Sequence, residues 1–120
     1  MNIYIVEDDP DFASCILRYA ARADRSATLS IFHNVIDAIQ SIDTDFPDLI
    51  FLDILLTGPD GFTLLNELAS YPDTARIPIV IISSLNLQNQ DLSSYGVVAT
   101  LHKDSLMPKE IIENVRKYSH

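Results

Sequence analysis

Three acids and one lysine carry the chemistry that can be read from this chain. Glu7 and Asp8 follow the apolar run Ile3-Tyr4-Ile5-Val6, Asp53 follows Leu49-Ile50-Phe51-Leu52, and Lys103 follows the weaker run Val97-Val98-Ala99-Thr100-Leu101. A short apolar run that ends on an ionisable residue reads as a buried strand whose last side chain stands at the mouth of a sheet. If such strands are parallel neighbours, their carboxyl ends open onto one crevice, the place where open α/β sheets hold ligands. Carboxylates brought together repel unless a proton or a cation intervenes. Mg²⁺, which takes oxygen donors, is the natural occupant, and a lysine beside it points to an anion. The combination suits phosphoryl transfer onto a carboxylate.

The elements that must position these residues alternate. Residues 2–6 read as a strand, and Asp9-Pro10 opens a helix, with Asp9 as cap and Pro10 at the first helical position. Ala13, Ile16, Ala20 and Ala23 give that helix an inward face to about residue 24. A strand over 28–32 is followed by a helix capped by Asn34, with Val35, Ala38, Ile39 and Ile42 on one side, closed by Phe46-Pro47. Residues 48–53 form the third strand. The turn cluster Thr57-Gly58-Pro59-Asp60-Gly61 leads into a helix with Phe62, Leu65 and Leu68 inward, ending near Tyr71-Pro72. Residues 77–82 form a fourth strand, 86–95 a weak exposed helix and 97–101 a fifth strand. Pro108 opens a last helix with Ile111, Ile112 and Val115 inward. The third and fourth strands lack polar alternation, as expected when helices cover both faces of a parallel sheet. Five strand–helix units joined by right-handed crossovers give a doubly wound α/β fold.

Composition narrows the function. The 120 residues, 48% hydrophobic, fit one globular domain. No apolar run reaches the roughly 20 residues that span a bilayer, so no membrane partner is expected. The start, Met1-Asn2-Ile3, lacks the basic opening of a secretory signal. The single Cys15 can form no internal disulfide, which fits a reducing cytoplasm, and it reads as packing rather than a catalytic thiol. A net charge of −9, from 8 basic and 17 acidic residues, argues against nucleic acid as a direct partner. The stretch between Arg25 and Arg76 carries eight acids and no lysine or arginine. His33, His102 and His120 show no metal spacing.

Taken in order, Val6-Glu7-Asp8-Asp9, Asp53, Asp60-Gly61, Ser83 and Lys103 resemble the receiver domain of two-component response regulators, over Ile3 to Tyr118. The resemblance implies one receiver domain over 1–120, with a five-stranded parallel sheet in the order 2-1-3-4-5. It implies that Asp53 is the phosphoacceptor and attacks a phosphohistidine or a small acyl phosphate. It implies Mg²⁺ held by Asp8, Asp53 and the backbone carbonyl of Leu55, with Glu7 acting through a water. Lys103 would pair with Asp53 and later with a phosphoryl oxygen, and Ser83 would donate its hydroxyl to another. A sensor histidine kinase or histidine phosphotransfer protein would supply the phosphoryl group, and a downstream effector would read the face of strands 4 and 5. Arg18 and Arg22, spaced i,i+4, would help dock an acidic kinase surface. The chain would be no enzyme beyond its own phosphorylation and dephosphorylation.

The chain also departs from the family pattern. Asp104 follows Lys103 where proline, often cis, is common, and a cis bond before a non-proline residue costs about 2.5–4 kcal/mol, so a trans bond is expected. Thr100 replaces the usual aromatic switch residue, Thr57 stands where proline is common, and Ser84 where alanine is usual. The segment from Ser83 to Lys103 is short, which suggests a stunted fourth helix. Asp9 and Asp60 read as helix caps, and Tyr4, Phe12, Phe51 and Phe62 as core. Two other readings compete: a phosphorylation-independent interaction module, and an Asp-nucleophile phosphohydrolase. The second would need an acid/base Asp where Leu55 stands.

Overall fold

A computed structural model describes residues 1–56, 58–87 and 90–119. Five strands, β1 (Asn2–Val6), β2 (Thr28–Phe32), β3 (Leu49–Leu52), β4 (Ile79–Ser83) and β5 (Val97–His102), form one parallel sheet in the order β2-β1-β3-β4-β5. Four α-helices connect or follow them: α1 (Pro10–Ala23), α2 (Val35–Ile42), α3 (Gly61–Ala69) and α4 (Pro108–Tyr118). None of the helices described is long and apolar enough to cross a membrane.

Period-two side-chain alternation divides the strands between two cores. Tyr4, Val6, Ile50, Leu52, Ile79 and Ile81 face one side, where Val35, Ala38 and Ile42 of α2 and Leu64, Leu65 and Leu68 of α3 cover them. Ile3, Ile5, Leu49, Phe51, Val80 and Ile82 face the other, under Ala13, Ile16 and Ala20 of α1 and Ile111 and Val115 of α4. With helices on both faces, β1, β3 and β4 tolerate no polar alternation, which is why their sequences are almost unbroken in Ile, Leu and Val. Phe12, Ile39, Phe62 and Ala23 pack at the margins of these cores and are only partly buried. Ile112, expected inward, is half-buried, and Leu64, not singled out from the sequence, is fully buried.

The caps follow the expected chemistry. The Asp9 carboxylate accepts the Asp11 and Phe12 amides, and Asn34 and Asp60 accept those of Asp37 and Thr63. Each satisfies donors that a helix start leaves without partners.

The connection between β4 and β5 corrects the expectation of an exposed helix over 86–95. Its described residues contain only a 3₁₀ turn, Ser93–Tyr95, and Leu87 and Leu92 are buried against the α3 side of the sheet. Leucines five apart do not share a helical face. The Asp91 carboxylate takes the Ser93 amide at 3.1 Å and hydroxyl at 2.6 Å, a local bond that competes with helix formation. The fold therefore has four α-helices among its described residues rather than five. Gln88 and Asn89, and likewise Thr57 and His120, lie outside the described residues. Strand ends differ by a residue or two from expectation: β4 begins at Ile79 because Ile77 closes a 3₁₀ turn over Thr74–Arg76, and β5 continues to His102.

Tyr4 ties β1 to the loop before β3. Its ring lies 4.7 Å from that of Phe32, and its hydroxyl donates to the Asp45 carbonyl. Burial, then the nearby Asp45 charge, pushes the phenol up to about 12. The neutral phenol is thus favoured in the folded state. Its contribution is complete below pH 10 and is lost as pH rises toward 12. Tyr4→Phe should cost about 1 kcal/mol at neutral pH and remove part of the loss in stability above pH 10, as read by urea unfolding at graded pH.

Candidate functional site

Strand register builds the site. Val6 pairs with Leu52, and Leu52 with Ile81, so Glu7 and Asp53 emerge side by side one residue past the last rung. The Asp53 amide donates to the Val6 carbonyl at 3.0 Å, and the Glu7 amide to the Phe32 carbonyl at 2.9 Å. Beyond β5, whose His102 lies opposite Ser83, the chain delivers Lys103 to the same edge.

Lys103 Nζ lies 2.5 Å from Glu7 Oε1 and 2.9 Å from Asp53 Oδ2. Both carboxylates are buried, at 1% and 4% exposure, while Asp8 beside them is partly exposed. One ligand oxygen from each of Glu7, Asp8 and Asp53 lies within 4.8 Å of the others, the only such group of potential metal ligands among the described residues. The backbone supports these acids: Asp53 Oδ1 accepts the Leu55 amide at 3.1 Å, and Glu7 Oε2 accepts the Asp8 amide at 3.1 Å.

The electrostatics follow from burial. Loss of solvent, followed by the neighbouring Asp53, pushes the Glu7 carboxyl up to about 7, while its hydrogen bond to Lys103 pulls the other way. Burial works against the Lys103 ammonium, but its hydrogen bonds to Glu7 and then Asp53 prevail, and its pKa is raised. The site thus holds more acid than its single lysine neutralises. Three hard oxygen donors, with no cysteine or histidine among them, fit an oxygen-seeking divalent cation such as Mg²⁺ and not a zinc site.

The other expected residues fall in different places. Ser83 ends β4 on this edge, buried, its hydroxyl oxygen accepting the Leu85 amide at 3.2 Å. Leu55, two residues past Asp53, is 49% exposed. Thr100 lies in β5 opposite Ile81, half-buried, three residues before Lys103. No cis peptide occurs among the described residues, so Lys103–Asp104 is trans, as expected. Asp104 begins no strain: its amide donates to His102 Nδ1 at 3.2 Å within a 3₁₀ turn. Cys15 is half-buried on α1, and Arg18 and Arg22 are exposed on the same helix.

Three contacts were not foreseen. Phe12, expected in the core, sets its ring 4.7 Å from Lys103 Nζ, so the ammonium lies between an aromatic face and two carboxylates. His33 Nδ1 lies 2.9 Å from the Glu7 carbonyl. Gly61, read as a turn residue, is pressed on the backbone of Asp53 and Ile54: a Cβ there would lie 2.8 Å from the Asp53 carbonyl oxygen and from Ile54 Cα. Asp60-Gly61 in the sequence carried a signal for a turn, but none for this close approach.

Removing the lysine leaves two buried acids facing each other. Breaking a buried pair can cost 3–5 kcal/mol, but Glu7 can take up a proton instead. Lys103→Met should therefore destabilise the metal-free protein by about 2 kcal/mol, measured by urea unfolding in chelator at pH 7.5.

Residues 3–116 match the family described as the response regulator receiver domain. The chain is similar to the transcriptional regulatory protein BaeR of Escherichia coli O6:H1, 37% identical over 83 residues, which cover 69% of this chain and 32% of that protein. It is also similar to RstA of Escherichia coli K12, 36% identical over 85 residues, covering 71% and 34%. It spans about a third of the length of these curated relatives. In fold it resembles the signal receiver domain of a DNA-binding response regulator from Colwellia psychrerythraea 34H, with a TM-score of 0.86 at 24% identity over 98% of this chain and 96% of the other.

Proposed function

This chain belongs to the response regulator receiver domain family of two-component systems, and from that premise we propose that it is a phosphoacceptor switch in which Asp53 takes a phosphoryl group from a histidine kinase or phosphotransfer protein. The observation that carries the reading is Lys103 held between Glu7 and Asp53 at the mouth of the sheet, beside Asp8. Asp8 and Asp53, the Leu55 carbonyl and, through a water, Glu7 would hold Mg²⁺. When bound, the cation supplies positive charge beside the phosphoryl oxygens.

The chain's own groups do the rest. The Leu55 amide on Oδ1 and Lys103 on Oδ2 fix the plane of the Asp53 carboxylate. An Asp53 oxygen forms a bond to phosphorus as the phosphorus–nitrogen bond of the donor histidine breaks, and the electron pair stays on the imidazole. Negative charge spread over the equatorial oxygens then attracts positive and hydrogen-bonding groups. Lys103 moves from carboxylate to phosphoryl oxygen, and the Ser83 hydroxyl turns to donate to another. The added charge of about −1.5 to −2 draws both inward, altering the surface of β4, β5 and α4 that an effector would read. Leu55, placed where a phosphohydrolase of this type has its acid/base Asp, speaks against multiple turnover.

A second reading, a module that binds partners without phosphorylation, draws on Thr100 in place of an aromatic and on a connection between β4 and β5 whose described residues form no α-helix. One experiment separates the two. Acetyl phosphate with Mg²⁺ should add the mass of one phosphoryl group, and Asp53→Asn should abolish the addition. In a parallel measurement, beryllofluoride with Mg²⁺ should raise the Tm by about 5 °C or more. An unchanged mass and Tm would favour the module.

A further inference from the structure

The two helical layers differ sharply in charge. Five of the eight basic residues stand on α1 and α4, and a sixth, Arg25, lies just past α1. The stretch containing α2 and α3 has none. Between the C-terminal halves of these two helices runs a groove of about 350 Å³. Ile39 and Leu68 form its floor, Asp43, Glu67 and Asp73 its rim, and Tyr71, 55% exposed, one end. Both helices run antiparallel to the strands, so their C-terminal ends lie at the opposite edge of the sheet from Asp53. The groove belongs to no part of the phosphoacceptor site.

None of the ion pairs found among the described residues involves Asp43, Glu67 or Asp73. Their summed field repels nucleic acid and anionic lipid and attracts cations. The floor favours an apolar side chain, because a bare cation would leave the partly buried Ile39 and the ring of Tyr71 facing water. The ring of Tyr71 offers a face on which a guanidinium or ammonium can rest. We infer that the α2–α3 groove docks a basic segment of a partner protein, which seats an aliphatic side chain on Ile39 and Leu68 and faces Asp43, Glu67 and Asp73 with lysine or arginine. Such a segment is recognised by anchors spaced along one face with flanking charge. Docking here needs neither Mg²⁺ nor phosphate on Asp53.

The probe is a synthetic amphipathic peptide of about 15 residues, long enough to hold a helix on contact, with leucine on one face and lysine and arginine on the other. It is titrated into the unphosphorylated protein in chelator and followed by amide chemical shifts and fluorescence anisotropy. Shifts should concentrate on Ile39, Asp43, Glu67, Tyr71 and Asp73. Glu67→Lys with Asp73→Lys should weaken binding about tenfold, and Asp11→Lys with Glu113→Lys, on the opposite layer, by less than about twofold. A peptide with glutamate in place of its basic residues should not bind. Absence of binding, shifts spread over the acidic surface, or equal losses in the two charge-reversed proteins would overturn the proposal. No phosphodonor is used, so a failure of phosphoryl transfer leaves this result intact.

Discussion

The arrangement depends on one contact: a single ammonium shared by two buried carboxylates. Glu7 and Asp53 leave neighbouring strands at the same level because β1 and β3 pair in parallel register, and that pairing is set by apolar side chains on both faces of the sheet. Without Lys103 the two acids would oppose each other in a place with little solvent. Two unit charges about 4 Å apart interact by roughly 4 kcal/mol at an effective dielectric of 20. The packing of the sheet therefore brings together groups that electrostatics would separate, and the lysine offsets the conflict. Phe12 closes a third side of the ammonium, so its position is fixed by a ring as well as by charge.

Much of this was legible in the sequence because it rests on short-range patterns. Apolar runs of four or five residues ending in Glu7, Asp53 and Lys103 marked both the strands and the edge where ligands gather. Asp9-Pro10, Asn34 and Asp60 marked helix starts through side-chain chemistry that needs no tertiary context. The order of strands came from family resemblance rather than from pattern. The failures were tertiary. The polar stretch around 86–95 invites a solvated helix, but burial of Leu87 and Leu92 decided its path. The Glu7–Lys103 bond joins residues 96 positions apart, and the Phe12–Lys103 contact depends on how the fold brings the first turn of α1 to the residue after β5. Gly61 differs again: its constraint is a backbone approach, for which the identity of the residue is the sole sequence trace.

The same sheet separates two electrostatic environments. On one side α1 and α4 carry most of the cations. On the other, α2 and α3 carry acids without partners among the described ion pairs. The two helical faces of the molecule therefore present different net charge to an approaching protein. Orientation of an incoming protein is thereby constrained before any close contact forms.

The connection between β4 and β5 has a mechanical consequence. An amphipathic helix laid on a sheet buries a whole stripe of side chains, and moving it exposes them together. Here two buried leucines, five residues apart, and the partly buried Tyr95 fasten the path to the sheet among its described residues. Releasing one of them re-exposes a single side chain, worth about 1.5–3 kcal/mol. The span leading from Ser83 is thus moored rather than plated to its neighbour, and a tug at one end of it has only a small hydrophobic area to overcome.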